Sequence, residues 1–344
     1  MIAATLTRLY DPSVISSGDA RRVFDALLDP DLTEAHRAAV LAALTARPGS
    51  ADELAAFAGE MRRRAVPFVV PARDRAVDVC GTGGARRPSF NVSTVSAFVV
   101  SAAGAAVVKH GNRSARGPCG SSDLLEALGL PVTSDPGLAA RTYRAHRLAF
   151  LHAPLFHPAA RTVAAARRLL GVPTIFNRLG PLSNPARVPY QVVGLPTPEA
   201  AAQAADVLGR LGTRGFLAMS AEAGYDEFSP SGTTRIFRSS GGRVTAGAVD
   251  ARDRLPPEDR RGDWGPLPPA AAAAETERIL AGGGGARRGS VLLTSGAALW
   301  ISGRAPTFAR GIALAQDALD DGRAERRLTE IRATAARRRG ATAP

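Results

Sequence analysis

One stretch of the chain, residues 78–123, combines the residue types that proteins use to bind phosphate groups. Residues 81–84 read GTGG, and glycine accepts positive φ and has no side chain, so backbone N–H groups there can approach an anion closely. Residues 91–94 read NVST at the start of a predicted helix, where hydroxyls, free N–H donors and the helix dipole all favour negative charge. Lys109 ends the next apolar run. Together these features predict an anion site.

The scarcity of lysine and asparagine supports this prediction. Lys109 is the only lysine among 44 lysine and arginine residues. A fork-shaped guanidinium does not replace a compact ammonium, so the lone lysine is predicted to contact a phosphate. The chain has only four asparagines, and all of them lie in segments with candidate site residues: Asn91, Asn112, Asn177 and Asn184.

Three predicted elements place these residues at one edge of a sheet. Residues 76–79 form a predicted strand, a helix begins near Asn91, and residues 105–108 form a second strand. This is a βαβ unit, and open α/β sheets bind ligands at the carboxyl ends of their strands. We therefore expect the glycine turn, the start of the helix and Lys109 to lie close together.

The rest of the chain divides into a helical segment and further α/β units. Residues 1–73 carry apolar residues at helical spacing, with a capping box of Ser50 and Glu53, and residues 67–73 form a linker. Later predicted elements are helices over 160–170, 199–211, 270–280, 291–301 and 308–319, a strand over 214–219 and a hairpin over 235–244. Apart from the helix 270–280, residues 251–289 are assigned to surface connections. The last residues of the basic tail are expected to be disordered.

Length, composition and charge exclude several classes of protein. A chain of 344 residues with 45% hydrophobic residues can form two domains with a buried core. No apolar run is long enough to span a membrane, and no secretory signal is recognisable, so we expect a cytoplasmic protein without a membrane partner. Two cysteines are too few for a disulfide framework. The net charge of +13 comes from scattered arginines that do not alternate with aromatic residues, so no nucleic-acid partner is expected.

The ordered motifs resemble the anthranilate phosphoribosyltransferases of tryptophan biosynthesis over nearly the whole chain. They are GTGG, NVST, KHGNRS with a GSSD ending, HPA (157–159), RRLLGVPTIFNRLGPLSNPA (167–186) and the acidic pair in YDEFSPSGTTR (225–235). The resemblance implies an α/β protein in which a small N-terminal helical domain precedes a larger domain with a mostly parallel central sheet. That fold is the nucleoside phosphorylase/phosphoribosyltransferase type. The expected domains are 1–73 and 74–344, with helices near 160–185 as candidates to join the first.

The resemblance also implies an activity and a site. The expected reaction transfers the phosphoribosyl group from phosphoribosyl pyrophosphate to the amine of anthranilate and releases pyrophosphate. A homodimer formed through the helical domain is expected. Catalysis is assigned to Lys109, Asn112 and Arg167, and Mg²⁺ is assigned to Ser93, Asp226 and Glu227. The implied substrate-binding residues are Gly81, Gly84, Ser89, Asn91, Val92, Ser93, Thr94, Lys109, His110, Gly111, Asn112, Arg113, Ser121 and Arg167.

Some of these residues also have structural interpretations. Arg167 is equally suited to a helix C-terminus, where a cation complements the helix dipole, and Asp226 with Glu227 could form a solvated turn. The chain departs from the family pattern at 85–88, 115–119, 220–221 and 294–295. The alternatives are therefore a phosphoribosyltransferase for another aromatic acceptor, an enzyme like a pyrimidine nucleoside phosphorylase, and a non-enzymatic or nucleic-acid-binding paralogue.

Overall fold

The computed structural model describes residues 2–47, 49–82, 87–114 and 117–337. The chain begins with four helices: Ile2–Tyr10 (α1), Ser17–Leu28 (α2), Glu34–Ala46 (α3) and Ala51–Arg64 (α4). The predicted capping box is confirmed, because Ser50 Oγ accepts from the N–H of Glu53 and the Glu53 carboxylate accepts from the N–H of Ser50. Capping satisfies N–H groups that have no partner within the helix, and so α4 begins at this point.

Within the described residues, seven strands form one mixed sheet. The strands are Val77–Gly81 (β1), Val107–Gly111 (β2), Leu148–His152 (β3), Tyr190–Gly194 (β4), Gly215–Ala221 (β5), Thr233–Ser240 (β6) and Arg243–Asp250 (β7). Their order is β3-β2-β1-β4-β5-β6-β7, with β1 to β5 parallel and β6 and β7 antiparallel. The expected mostly parallel sheet is therefore confirmed. The predicted hairpin turns at Gly241 and Gly242, both at positive φ (56° and 77°), which glycine adopts without strain.

In the part of the chain that the structure describes, twelve further helices connect and cover the strands. They are Val92–Ala102 (α5), Ser121–Ala127 (α6), Leu138–His146 (α7), Ala153–Phe156 (α8), Pro158–Thr162 (α9), Ala164–Leu170 (α10), Ile175–Leu179 (α11), Pro198–Arg210 (α12), Pro269–Leu280 (α13), Ala286–Ile301 (α14), Phe308–Asp320 (α15) and Arg323–Ala336 (α16). None of the described helices is long and apolar enough to cross a membrane.

Two large apolar cores lie on opposite faces of the sheet. One is built on α5, α14, α15 and α16. The other joins α2, α3 and α4 to α11, α12 and the outer faces of β4 and β5. In the second core the Phe24 ring lies 6.0 Å from the rings of both Phe57 and Phe176. The segment that contains α10 and α11 thus packs with the N-terminal helices, although it lies far away in sequence.

The structure differs from the predicted helices at two points. The helix predicted over 160–170 is divided at Val163 into α9 and α10. Helix α16, for which no helix was predicted, buries Ala324, Leu328 and Ile331 at helical spacing. These apolar positions were hard to recognise among many arginines, and packing against α5 and α7 is what makes them a helix face. Residues 338–344, where disorder was expected, lie outside the described residues.

The end of β4 has no room for a side chain. A Cβ atom at Gly194 would lie 1.6 Å from the backbone oxygen of Asp226, whereas one at Gly209 in α12 would lie no closer than 3.9 Å to Phe216. Overpacking of a buried site typically costs about 1–3 kcal/mol, so Gly194→Ala should lower the free energy of unfolding by that amount. Gly209→Ala should be neutral or stabilising by up to about 1 kcal/mol. Urea denaturation measures both, and equal midpoints for the two variants would contradict this packing.

Candidate active site

Lys109 is the central residue of β2, and its side chain lies between β1 and the start of α5. Its Nζ donates to the backbone oxygen of Val79 at 2.6 Å and to Ser93 Oγ at 3.1 Å. The side chain is almost fully buried, with 3% of its residue surface exposed. An ammonium group loses much of its hydration there, so the anions nearest to it gain a strong electrostatic partner.

Two consecutive carboxylates, Asp226 and Glu227, reach the same edge of the sheet from the loop between β5 and β6. Both are buried, with 6% and 5% of their surfaces exposed. Asp226 fits because Gly81 has no side chain: a Cβ at Gly81 would lie 3.1 Å from Asp226 Oδ2. The Thr82 hydroxyl donates to that same oxygen at 3.1 Å. The interpretation of this pair as a solvated turn is therefore wrong.

The protein environment favours a neutral Glu227 carboxyl. Burial raises its pKa above the ordinary value, and the neighbouring Asp226 charge raises it further. Lys109 and hydrogen bonds from Ser93 act in the opposite direction but do not cancel this effect. Glu227 Oε2 is buried and has no hydrogen-bond partner among the described residues. A cation placed at this oxygen would restore the ionised form.

These oxygen atoms fit the chemistry of magnesium. Mg²⁺ prefers hard oxygen ligands and is commonly held by one or two carboxylates together with substrate phosphates. The predicted ligands Ser93, Asp226 and Glu227 supply such a set, and the unpartnered Glu227 oxygen leaves a position for the ion. Within the described part of the chain, no group of three or more His, Cys, Asp or Glu residues could hold a metal without a substrate.

The start of α5 presents one side chain to this cluster. Val92 and Thr94 are buried in the protein, and Ser93 is the residue that contacts Lys109. Asn91 occupies the N-cap position but its side chain makes no capping hydrogen bond, and its Nδ2 donates to the backbone oxygen of Cys119 at 3.0 Å. The NVST motif thus joins the helix start to the 117–120 loop and leaves the hydroxyl of Ser93 for the site.

A narrow pocket is lined by Lys109 and by two more predicted donor-binding residues, Gly111 and Ser121. A Cβ at Gly111 would lie 2.2 Å from Ser121 Oγ, so glycine is required for this close approach. The Ser121 hydroxyl donates to the backbone oxygen of Asn112 at 3.0 Å. Ser89 is half-buried, and Gly84 lies outside the described residues.

The predicted acceptor residues are not joined by a hydrogen bond in the described structure. The Asn112 side chain is exposed, and Arg113 donates to Asp123 and Glu126. Arg167 is half-buried: its Nη2 donates to Asn177 Oδ1 at 3.3 Å, and its Cζ lies 5.5 Å from the centre of the Phe176 ring. Burial lowers the pKa of Arg167. No carboxylate among the described residues pairs with Arg167, so its charge is available to an anion.

A histidine pair lies near these residues, and only one member was predicted from the sequence. The ring centres of His110 and His157 are 4.9 Å apart, and both residues are buried. His110 hydrogen-bonds the backbone of Gly180, and His157 hydrogen-bonds that of Ser183. Burial lowers their pKa values to about 3 and about 4, and each Nε2 has no partner among the described residues. The HPA motif was the sequence signal for His157.

A buried network of hydrogen bonds connects the strands next to the site. Asp78 in β1 accepts from the N–H of His110 at 3.3 Å and from Asn184 Nδ2 at 2.9 Å. Asn184 also donates to the backbone oxygen of Val108 at 2.9 Å. Burial raises the pKa of Asp78 to about 6, against the attraction of Lys109. The network therefore connects β1, β2 and the loop that receives the two histidines.

Comparison with known proteins identifies the class. A model described as "Glycosyl transferase family, a/b domain" matches residues 73–325, and one described as "Glycosyl transferase family, helical bundle domain" matches residues 4–65. The chain is thus a two-domain member of this glycosyl transferase class, as its helical bundle and mixed sheet indicate.

Individual relatives narrow the assignment. The anthranilate phosphoribosyltransferase of Methylobacterium radiotolerans is 42% identical over 331 residues, which cover 95% of this chain and 94% of that protein. The one from Desulfosudis oleivorans is 39% identical over 335 residues, covering 96% and 98%. The crystal structure of the Thermus thermophilus enzyme superposes with a TM-score of 0.86 at 36% identity, covering 96% and 99%. The chain belongs to the anthranilate phosphoribosyltransferase family.

Glu227 makes the stability of the protein depend on pH. Its pKa is raised in the folded state, so folding favours the protonated carboxyl, and stability falls as pH rises above the ordinary value of 4.5. One unit of pKa shift corresponds to about 1.4 kcal/mol. Glu227→Gln should therefore raise the free energy of unfolding by about 1 kcal/mol or more near pH 8, and by much less near pH 4.

Calorimetric melting of parent and variant at both pH values measures this difference. The raised pKa of Asp78 also makes stability depend on pH, but this contribution is the same in both proteins and cancels in the difference between them. Glu222→Gln, in the exposed part of the same loop, is the matched control and should show no such pH dependence. A stabilisation by Glu227→Gln that is equal at both pH values would contradict the electrostatic explanation.

Proposed function

We propose that this chain transfers the phosphoribosyl group from phosphoribosyl pyrophosphate to the amine of anthranilate, giving N-(5-phosphoribosyl)anthranilate and pyrophosphate. Membership of the family supports the reaction. The observation that carries the proposal is the buried ammonium of Lys109, which contacts Ser93 at the start of α5 and lies near the Asp226 and Glu227 carboxylates. A polyphosphate with its metal ion matches this combination of charges.

On the donor side, positive groups stabilise the leaving pyrophosphate. As the bond between ribose and pyrophosphate breaks, negative charge grows on the phosphate and positive charge grows on the sugar carbon. Lys109 and the positive end of the α5 dipole are held in place before the reaction, so they need little reorganisation to stabilise that charge. The residues Gly81, Ser89 and Ser121 are proposed to contact the donor as well.

Magnesium is proposed as the required cofactor. Ser93, Asp226 and Glu227 would hold it, and it would supply positive charge that neutralises the pyrophosphate. The raised pKa of Glu227 supports this role, since the pair carries unfavourable charge when no cation is bound. The two carboxylates would also orient the bound ion, because Thr82 and Gly81 fix the position of Asp226.

On the acceptor side, the proposed partners of anthranilate are Arg167 and Asn112. A guanidinium binds a carboxylate in bidentate fashion, and the charge of Arg167 is available to an anion. The Nε2 atoms of His110 and His157 are proposed to accept hydrogen bonds from the amine, since both rings are neutral and donate their other N–H to backbone oxygens. Such contacts orient the amine nitrogen toward the sugar and need no strong base.

We also propose a cytoplasmic homodimer that associates through the helical domain. Tyr10 and Val14 expose 71% and 58% of their surfaces, and Leu169 and Val172 of the 164–172 segment expose 70% and 58%. Large apolar side chains exposed at such levels are typical of surfaces that meet another protein.

Lys109→Ala tests the donor assignment. Loss of the buried cation should cut kcat/KM for phosphoribosyl pyrophosphate by at least about thirty-fold, since removing one partner of a desolvated charge pair typically costs about 2–5 kcal/mol. Lys109→Arg should recover only part of the activity because a guanidinium does not fit the space of an ammonium. Steady-state assays with anthranilate and Mg²⁺ measure both variants. Unchanged kinetics in a folded Lys109→Ala protein would refute the donor site.

Arg167→Ala tests the acceptor assignment. The KM for anthranilate should rise by roughly thirty-fold or more, for the same electrostatic reason, while the KM for the donor changes little. Arg168→Ala is the matched control, because Arg168 is the next residue of α10 and is exposed. Aniline, which lacks the carboxylate, should be a poor substrate of the parent and hardly affected by the change. Equal losses for anthranilate and aniline would remove Arg167 from the acceptor site.

A further inference from the structure

A tryptophan in the segment 251–268 contacts the residue that precedes the two carboxylates. The ring centres of Trp264 and Tyr225 are 4.0 Å apart, with an angle of 41° between the planes. Tyr225 immediately precedes Asp226, and Trp264 exposes only 8% of its surface. Close aromatic contact restricts both rings. The position of the acidic pair is thus linked to a segment that the sequence assigned to a surface connection.

The same tryptophan residue contacts the segment that precedes α5. The backbone oxygen of Trp264 accepts from the N–H of Phe90 at 3.0 Å. A second backbone hydrogen bond, from the N–H of Arg87 to the oxygen of Gly224 at 3.4 Å, connects the same two loops directly. Trp264 therefore lies between the two segments that carry the proposed donor site. One leads to Ser93 and the other leads to Asp226 and Glu227.

A half-buried arginine, Arg287, holds the turn of residues 263–265, which we name the Trp264 turn. Arg287 in α14 donates through Nη2 to Asp263 Oδ2 at 2.7 Å and to the backbone oxygen of Gly265 at 3.3 Å. Its Cζ lies 5.7 Å from the centre of the Phe90 ring. Arg287 thus binds the turn on both sides of Trp264 and also contacts Phe90. The turn is anchored to a long helix of the core and does not depend on the site for its position.

We propose that Trp264 is a positioning residue for the metal-bound donor: through Tyr225 and Phe90 it sets the separation between the Asp226–Glu227 pair and the α5 N-terminus. This inference rests on the proposed function, since it assumes that a polyphosphate and its cation bind between those two groups. The physical reason lies in the charges. Two buried carboxylates repel each other, and their loop moves to more polar surroundings unless other contacts hold it.

Trp264 differs from an ordinary core residue in what its loss should change. A residue that only stabilises the fold would, when removed, lower melting temperature and affect both substrates alike. A positioning residue should affect the donor and the metal and leave the acceptor unchanged. Its function should also survive replacement by another aromatic ring that still contacts Tyr225, because the backbone contact to Phe90 does not depend on the side chain.

The first experiment compares Trp264→Ala, Trp264→Phe and Trp300→Ala. Trp300 is the only other tryptophan and lies at the end of α14, where Arg238 and Phe308 contact it, so it is the matched control. Trp264→Ala should raise the KM for phosphoribosyl pyrophosphate and the half-saturating Mg²⁺ concentration about ten-fold, with the KM for anthranilate within about two-fold of the parent. In Trp264→Phe both constants should stay within about three-fold of the parent values, and in Trp300→Ala both should equal the parent values. Equal donor constants for Trp264→Ala and the parent would overturn the proposal, and so would equal losses in Trp264→Ala and Trp300→Ala.

The second experiment does not require the alanine variant to fold. In Trp300→Phe, Trp264 is the only indole, and its emission should change when phosphoribosyl pyrophosphate and Mg²⁺ are added together. In Trp264→Phe, emission from Trp300 should not change. A Trp264 emission that stays constant while calorimetry records donor binding would overturn the proposal.

Calorimetry on the parent separates this inference from the proposed function. A parent chain that binds no phosphoribosyl pyrophosphate in the presence of Mg²⁺ overturns both. A parent that binds the donor but does not convert anthranilate overturns the proposed acceptor. In that case the dissociation constants of the donor and the emission of Trp264 still test the positioning role. A fully active parent whose Trp264→Ala variant binds the donor equally well overturns the positioning role alone.

Discussion

The structure depends on keeping an ammonium group and several carboxyl groups together away from water. Burial raises the pKa of Asp78 and of Glu227, and Lys109 opposes the rise in both. Transfer of an ion from water into a protein costs several kcal/mol unless partners lie at hydrogen-bonding distance. The ammonium group of Lys109 therefore needs hydrogen-bond acceptors inside the protein, and it has a backbone oxygen and a hydroxyl. Parallel strands that end at one edge, followed by a helix N-terminus, supply those partners.

The same constraint explains why glycines surround the site. Gly194 leaves space for the backbone of Asp226, and Gly111 leaves space for the hydroxyl of Ser121. Charged groups can compensate one another only at short range, and a single Cβ at either position would push the segments apart. The network of Asp78 and Asn184 extends this arrangement to the loop that accepts hydrogen bonds from the two histidines. Donor and acceptor sides thus share one rigid support.

Much of the fold and part of the site could be predicted because local chemistry determined them. The capping box at Ser50 and the two-glycine hairpin follow from short-range rules and were found where expected. The strands on either side of α5 were also found, but they end two and three residues later than predicted, at Gly81 and Gly111. Lys109 was recognisable because it is the only lysine. The contacts of Trp264 could not be predicted, since its partners Tyr225 and Phe90 lie far away in sequence. The segment 251–289, which contains Trp264, looks like a surface connection in the sequence. Helix α16 was missed because its apolar face has meaning only against α5 and α7.

The sequence by itself determined which groups were available and the class of chemistry: an anion-binding glycine turn, a lone ammonium and a pair of carboxylates in the order of a known family. Only the tertiary structure decided whether these groups are buried and whether they carry a charge. Whether Asp226 and Glu227 are solvated or buried, and whether a histidine carries a proton, depends on desolvation by chain segments that lie far apart in sequence. Electrostatic energy changes steeply with distance and burial, and neither quantity can be obtained from the order of residues along the chain.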